Sequence, residues 1–384
     1  MEKVPSRGGL AALTPLGLPV VASRGRAYVA YPDLARVRWL FPAGQPKVRR
    51  AGMRELYYPA SVKGRALRRL ILAGVVRGER LDLEDEAIDR LEGELARALG
   101  EHRVWLAFYV GTPGAYRKIT AQVLNAEGRT LAFAKIAASP TPISDVQTEY
   151  RVLRRLATAR NLDGRVPEPL HLFDWRSAKV LLTTAGPPQP GPLRCSADHV
   201  EFCVRLFRAF AEERVFGESK MMRELSERTD KVGASMPGSA GLLHRSLDTL
   251  RLNLGPVTLP LSAAHRDFAP WNTRLGPQGL FVFDWDGARW GTTPLYDLFH
   301  FQAVQAALAG SSRAITDRRP LGEALEAIWP AGHGHLPSLY LAYLLDLALF
   351  YGEARSVAPE VGSSKVWDWL LARLDSFIRE DLRF

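Results

Sequence analysis

The run His265-Arg266-Asp267-Phe268-Ala269-Pro270-Trp271-Asn272 sets a carboxylate two residues after a histidine and an amide five residues after the carboxylate. Twelve residues beyond Asn272, the apolar run Leu280-Phe281-Val282-Phe283 ends in a second acid, Asp284, with Asp286 next but one. A short loop bearing an acid and an amide, followed by a strand that delivers another acid, collects hard oxygen donors. Such donors suit Mg²⁺ rather than a soft metal. Three features stand upstream in a fixed order. Lys135 lies in the alternating run Ala132-Phe133-Ala134-Lys135-Ile136, so a strand carries an ammonium into a half-buried position that needs an anionic partner. Glu149 follows fourteen residues later in a helical segment and can supply that partner. Gly111-Thr112-Pro113-Gly114 forms a turn between two strand-like runs, where backbone N–H groups or the Thr112 hydroxyl can approach an anion.

This set of motifs resembles the aminoglycoside phosphotransferase and choline kinase-like family of the protein-kinase-like superfamily. The resemblance covers residues 103–384 and leaves residues 1–102 outside the common core. It implies ATP and Mg²⁺ as cofactors. In it Asp267 is the base that orients an acceptor hydroxyl and takes its proton, while Asn272 and Asp284 hold Mg²⁺. Lys135, fixed by Glu149, meets the nucleotide phosphates, and Gly111, Thr112 and Gly114 line the phosphate turn. The adenine lies near a hinge at residues 183–186 that includes Thr184. His265, Asp286 and Asp297 support the loops; Asp297 resembles the aspartate that starts a helix behind the catalytic loop. Phosphoryl transfer suits such a set, because it asks the protein for positioning and for cations on the developing charge. Two departures matter. Arg266 stands where small-molecule kinases carry a small residue, as protein kinases do. Yet only nine residues separate Asp284 from Pro294, too few for a long regulatory segment, so the small-molecule branch fits better.

The elements that must hold these residues follow from periodicity. Residues 103–110, 118–124 and 131–136 read as strands, residues 144–157 as a helix, and residues 170–175 and 179–184 as two further strands. A Pro- and Gly-rich crossing at residues 185–193 ends this lobe. Beyond it, helices are expected over residues 197–214, 242–254, 298–309, 336–351 and 364–384, with a loop at residues 233–241. The fold class is therefore α+β, a protein-kinase-like two-lobe fold with a small antiparallel sheet and one helix in residues 103–185. A helical lobe in residues 186–384 carries the loop of Asp267. Residues 1–102 form a basic accessory region, with strand-like runs at 27–31 and 36–41 and helices at 61–74 and 84–99.

Composition narrows the class further. With 384 residues, 47% of them hydrophobic and 24% charged, the chain has material for a sizeable core and is not disordered as a whole. Two cysteines, Cys195 and Cys203, make no disulfide framework, and the longest apolar run carries Asp346 inside it. No signal peptide is read at the start, and a reducing, cytoplasmic setting is expected. The net charge is +10, and the first fifty residues hold nine Lys or Arg against Glu2 and Asp33, a surplus of seven. That balance favours anionic or neutral partners and makes polycationic aminoglycosides poor acceptors; a sugar or carbohydrate intermediate fits better. The expected function is an ATP- and Mg²⁺-dependent phosphotransferase acting on a hydroxyl of a small molecule or glycan. The competing reading is a nucleotide-binding pseudokinase whose residues 1–102 bind a partner. Apart from the basic N-terminal stretch, nothing in the sequence signals nucleic acid or membrane.

Overall fold

The computed structural model describes residues 13, 17–22, 24–56, 62–111, 117–311, 315–357 and 364–379. The chain divides into two units, one comprising Met1–Thr158 and Val166–Pro190, the other Ala159–Arg165 and Gly191–Phe384.

Among the described residues, nine antiparallel strands make the sheet of the first unit: β1 (Val20–Val21), β2 (Arg26–Tyr31), β3 (Trp39–Pro42), β4 (Glu79–Leu83), β5 (Trp105–Tyr109), β6 (Ile119–Leu124), β7 (Thr130–Ala137), β8 (Pro169–Trp175) and β9 (Ala178–Thr184). Their order is β1-β4-β2-β3-β5-β6-β7-β9-β8. Period-two alternation sends Phe108, Ala121, Ala134 and Leu182 to one face, where helix α3 (Asp85–Leu99) lays Ile88, Leu91 and Leu95 over them. Each of those three buried side chains contributes roughly 1.5–3 kcal/mol of apolar burial. Acidic residues open α3, and Gly100 in the left-handed conformation ends it. The opposite face is covered by α1 (Pro46–Glu55) and α2 (Val62–Leu72) through Val48, Met53 and Ile71 on Phe41 and Ala107. On that face α4 (Pro140–Leu156) also sets Val146 on Ala137 and Leu181.

Residues 1–102 do not stand apart from this sheet. Strand β3 pairs with β5 through Trp39↔Tyr109 and Leu40↔Phe108, so β1 to β4 extend the sheet from what would otherwise be a bare edge. An unpaired edge presents a row of unsatisfied N–H and C=O groups, and the first hundred residues satisfy it. Helix α1 is absent from the sequence reading because only Val48, Gly52 and Met53 are buried in an otherwise polar segment. Gly52 is required there, since a Cβ would lie 2.9 Å from the Phe41 ring and 3.0 Å from Ala107. A two-residue strand, β10 (Gln189–Pro190), closes the unit.

The second unit is mainly helical: α5 (Ala197–Phe210), α6 (Lys220–Ser235), α7 (Pro237–Leu254), α8 (Tyr296–Ala309), α9 (Arg319–Ile328), α10 (Leu336–Val357) and α11 (Ser364–Arg379). Short strands interrupt it. β11 (Glu212–Val215), β12 (Thr258–Ala264) and β15 (Arg289–Thr292) form one sheet, and β13 (Thr273–Gly276) pairs with β14 (Gly279–Val282). Helix α10 is buried nearly all round from Leu339 to Leu349, as a central helix must be. Among the described residues no helix is long and apolar enough to cross a membrane.

The expected loop at residues 233–241 is instead the junction of two helices. α6 runs to Ser235 and α7 begins at Pro237, with Met236 alone off the helical conformation. Proline is well placed at a first helical position, where no N–H is needed, so the Gly- and Pro-rich composition marks a break one residue long. Helix α5 also stops at Phe210, four residues before the expected end, because residues 212–215 pair with β12.

Candidate active site

Strand β12 delivers His265, Arg266 and Asp267 to a turn that Asp297 holds from the first turn of α8. One Asp297 oxygen accepts the N–H of His265 at 2.8 Å and the other that of Arg266 at 2.9 Å. Arg266 sits at φ +69°, a conformation costly for a side chain with a Cβ, and these two bonds hold it there. Burial raises the Asp297 carboxyl above its ordinary value, and the two N–H donors oppose the rise.

His265 is fully buried and fastens two loops together. Its Nδ1 accepts the Asp267 N–H at 3.2 Å, which leaves Nε2–H to donate to the Phe283 carbonyl at 2.9 Å, next to Asp284. A second tie runs alongside, from the Phe283 N–H to the Asn272 carbonyl at 3.1 Å. The indole of Trp285 closes on the imidazole edge at 4.5 Å between centroids and anchors its own Nε1–H on the Val282 carbonyl.

Asn272 gives its amide hydrogens to Asp267, one contact reaching the backbone carbonyl at 2.9 Å and one reaching Oδ2 at 2.7 Å. Its amide oxygen is therefore the atom with lone pairs to offer. Asp284 follows β14 at φ +73°, and one of its carboxylate oxygens lies within 4.8 Å of one from Asp286. Two carboxylates and an amide oxygen are a fitting donor set for a hard divalent cation such as Mg²⁺. The Asp267 carboxylate is 47% exposed, so it is held on one side and open on the other.

The arginine inside the motif has an internal partner that the sequence reading did not find. Arg266 donates to Asp346 of α10 at 2.6 Å and lies over the Tyr296 ring at 5.7 Å. The Tyr296 hydroxyl donates to the same Asp346 oxygen at 2.6 Å, and Arg228 of α6 donates to the other at 2.5 Å. Burial alone would raise the Asp346 carboxyl, but the two guanidiniums outweigh it and hold that acid well below the usual carboxylate range. A charge within an apolar, fully buried helix had to have a partner, and nothing near it in the chain singles one out.

His300 was also missed. It lies on α8 three residues after Asp297, on the face turned to the loop. Its Nε2 is 3.6 Å from Asp267 Oδ1 and has no hydrogen-bond partner, while Nδ1 is 3.5 Å from the buried Tyr343 hydroxyl. If Tyr343 donates to Nδ1, the imidazole carries its proton on Nε2 and aims it at Asp267.

In the first unit, Lys135 of β7 and Glu149 of α4 meet at 2.5 Å, with Glu149 almost wholly buried. Gly111 lies two residues beyond β5 at φ +75°, where a Cβ would lie 2.5 Å from the Lys118 carbonyl, and its own carbonyl accepts from Arg38 at 3.0 Å. Thr112 and Gly114 lie outside the described residues. Thr184 closes the β8–β9 pair: its hydroxyl accepts the Glu168 N–H at 2.9 Å, and its N–H donates back to the Glu168 carbonyl. His265, Asp267, Asn272, Asp284, Asp286 and Asp297 thus gather in the second unit, and Lys135 with Glu149 in the first.

No protein-family model matches the sequence, and no sequence relative was found among curated proteins. Among solved structures the chain is similar to a thermostable mutant of aminoglycoside phosphotransferase APH(4)-Ia, with 16% identity and a TM-score of 0.48 over 76% of this chain and 99% of that one. It is similar also to ADP-bound aminoglycoside phosphotransferase APH(2'')-Ib, with 11% identity and a TM-score of 0.44 over 74% and 96%. A third is spectinomycin phosphotransferase APH(9)-Ia, with 13% identity and a TM-score of 0.41 over 77% and 94%.

Proposed function

We propose that this protein is an ATP- and Mg²⁺-dependent phosphotransferase that phosphorylates a hydroxyl on a small molecule or glycan. The observation that carries the reading is the joint fixing of two loops. Asp267 is oriented by Asn272, and His265 and the Phe283–Asn272 bond lock that loop to the turn bearing Asp284. A half-exposed carboxylate beside a hard-oxygen donor set is what hydroxyl phosphorylation needs.

In this reading the exposed side of Asp267 receives the acceptor hydroxyl. The hydroxyl oxygen attacks the γ-phosphorus, its proton passes to Asp267, and the bond from phosphorus to the β,γ-bridging oxygen breaks, leaving ADP. Asn272, Asp284 and Asp286 hold Mg²⁺, which when bound neutralises charge on the nucleotide phosphates. Lys135, kept extended by Glu149, binds phosphate oxygens as a point charge. His265 and Asp297 keep the loop in place and do not touch the reacting atoms. The test is Mg²⁺-dependent ADP formation across a panel of neutral and anionic sugars, abolished in Asp267→Asn.

His300 gives a finer check. At 3.6 Å the His300 Nε2 is beyond hydrogen-bond distance of Asp267 Oδ1; drawn in when the acceptor binds, the contact becomes a hydrogen bond to a charged group, worth about 1.5–3 kcal/mol or roughly 10–100-fold in rate. His300→Leu should lower kcat by that factor with the KM for ATP unchanged, and His300→Gln, which restores an N–H donor, should recover most of it. Equal losses in both variants would reduce His300 to packing.

A further inference from the structure

Helices α1 and α2 carry none of this chemistry, yet their outer surface is strongly cationic. Lys47, Arg50 and Arg54 of α1 are exposed, as are Arg65 and Arg69 of α2 and Arg77 just after it. Among the described residues none of these six takes part in an ion pair. Several exposed arginines on other helices are matched along their own helix, as Arg97 is with Glu94, Arg251 with Asp248 and Arg379 with Asp375. The one acid on α1, Glu55, points inward and accepts from Gln122 and Thr130. Arg68 joins the two helices by donating to the Arg54 carbonyl at 2.6 Å, so their cations form one surface.

Two aliphatic side chains protrude among these charges: Leu70 is 45% exposed and Val75 is 68% exposed. The buried sides of both helices are already committed to the sheet through Val48, Met53 and Ile71. The outward face therefore has nothing left to cover within the unit. Unmatched cations around protruding aliphatic groups fit a surface that is anionic outside and apolar just beneath. Single-stranded nucleic acid would ask for aromatic platforms, and among the described residues the large exposed hydrophobics on this face are the aliphatic Leu70 and Val75.

We propose that the α1–α2 face docks the protein on an anionic lipid surface, with the six cations over the headgroups and Leu70 and Val75 entering the interfacial layer. The docking is independent of phosphotransfer, so either reading can fail without the other.

The full chain is sedimented with vesicles of phosphatidylcholine alone and with vesicles containing about one-third phosphatidylserine. The expected result is at least about tenfold tighter binding to the anionic vesicles, lost on adding salt. Arg65→Glu with Arg69→Glu should remove about tenfold of it. Leu70→Ser with Val75→Ser, which leaves the charge untouched, should remove several-fold. All four positions are exposed, and unchanged unfolding midpoints would show that the variants fold. Equal binding to both vesicles, or full binding by the double Glu variant, would overturn the proposal. So would tighter binding to a single-stranded RNA that the Glu variant loses and the Ser variant keeps, which would make the face a nucleic-acid surface.

Discussion

Asp346→Ala should cost about 3–5 kcal/mol of stability, the largest single loss expected outside the apolar core, because it strips buried Arg266 of its counterion and leaves Arg228 only Glu353. Arg266 and Arg228 are only 9% and 11% exposed, and both place guanidinium N–H groups on this carboxylate. Tyr296, buried on α8, loses its acceptor in the same step. Removing one member of a buried ionic cluster leaves the others desolvated without compensation, and that penalty exceeds what the cluster contributes when whole. Asp346→Asn keeps the shape and one acceptor oxygen, so it should lose less. Urea unfolding of wild type and both variants gives the ranking. Because the Asp346 carboxyl is held low in the folded protein, its stabilising contribution is present above the ordinary carboxylate pKa of about 4 and fades as the pH falls below that value. The alanine variant should lack this share of acid sensitivity.

The same cluster bears on catalysis through Arg266. That residue holds a left-handed backbone between His265 and Asp267, and its side chain is tied to α10 across 80 residues of sequence. Its guanidinium is permanently matched by the buried Asp346 carboxylate.

Asp267→Asn should lower ADP formation by about 10²–10⁴-fold, the range for loss of a positioned general base, equivalent to roughly 3–5 kcal/mol of transition-state stabilisation. The substitution is chosen to spare the structure. Asn272 keeps its bond to the backbone carbonyl at position 267, and the new amide oxygen can accept the second bond that Oδ2 now receives. The His265 tie uses the backbone N–H and is untouched. Mg²⁺-ATP binding should therefore persist with turnover removed. A loss of nucleotide binding in step with turnover would instead point to a disordered loop.

Much of this site was legible in the sequence because its signals are local. The loop from His265 to Asn272 and the strand ending before Asp284 lie within twenty residues, and the β7 lysine and α4 glutamate follow strand and helix periodicity. What stayed hidden depends on partners far apart in the chain. Asp346 reads only as a charge in an apolar run until α6, α8 and α10 pack around it. His300 reads as a core residue until α8 turns it towards Asp267. The pairing of β3 with β5 joins segments some seventy residues apart, so residues 1–102 looked separable when they complete the sheet. Composition misled in one place: the Gly- and Pro-rich residues 233–241 suggested a loop, but a proline at a helix start needs no loop before it.

The proposed role of Asp284 as a ligand for nucleotide-bound Mg²⁺ is tested by the thermal unfolding midpoint of wild type and Asp284→Ala with ATP, with and without Mg²⁺. A ligand at about a hundred times its Kd adds roughly 2.7 kcal/mol to the folded state, a shift well within reach of such a scan. A Mg²⁺-dependent rise is expected in wild type and should be lost in Asp284→Ala. An equal rise in both proteins, or none in wild type at saturating nucleotide, would contradict that role.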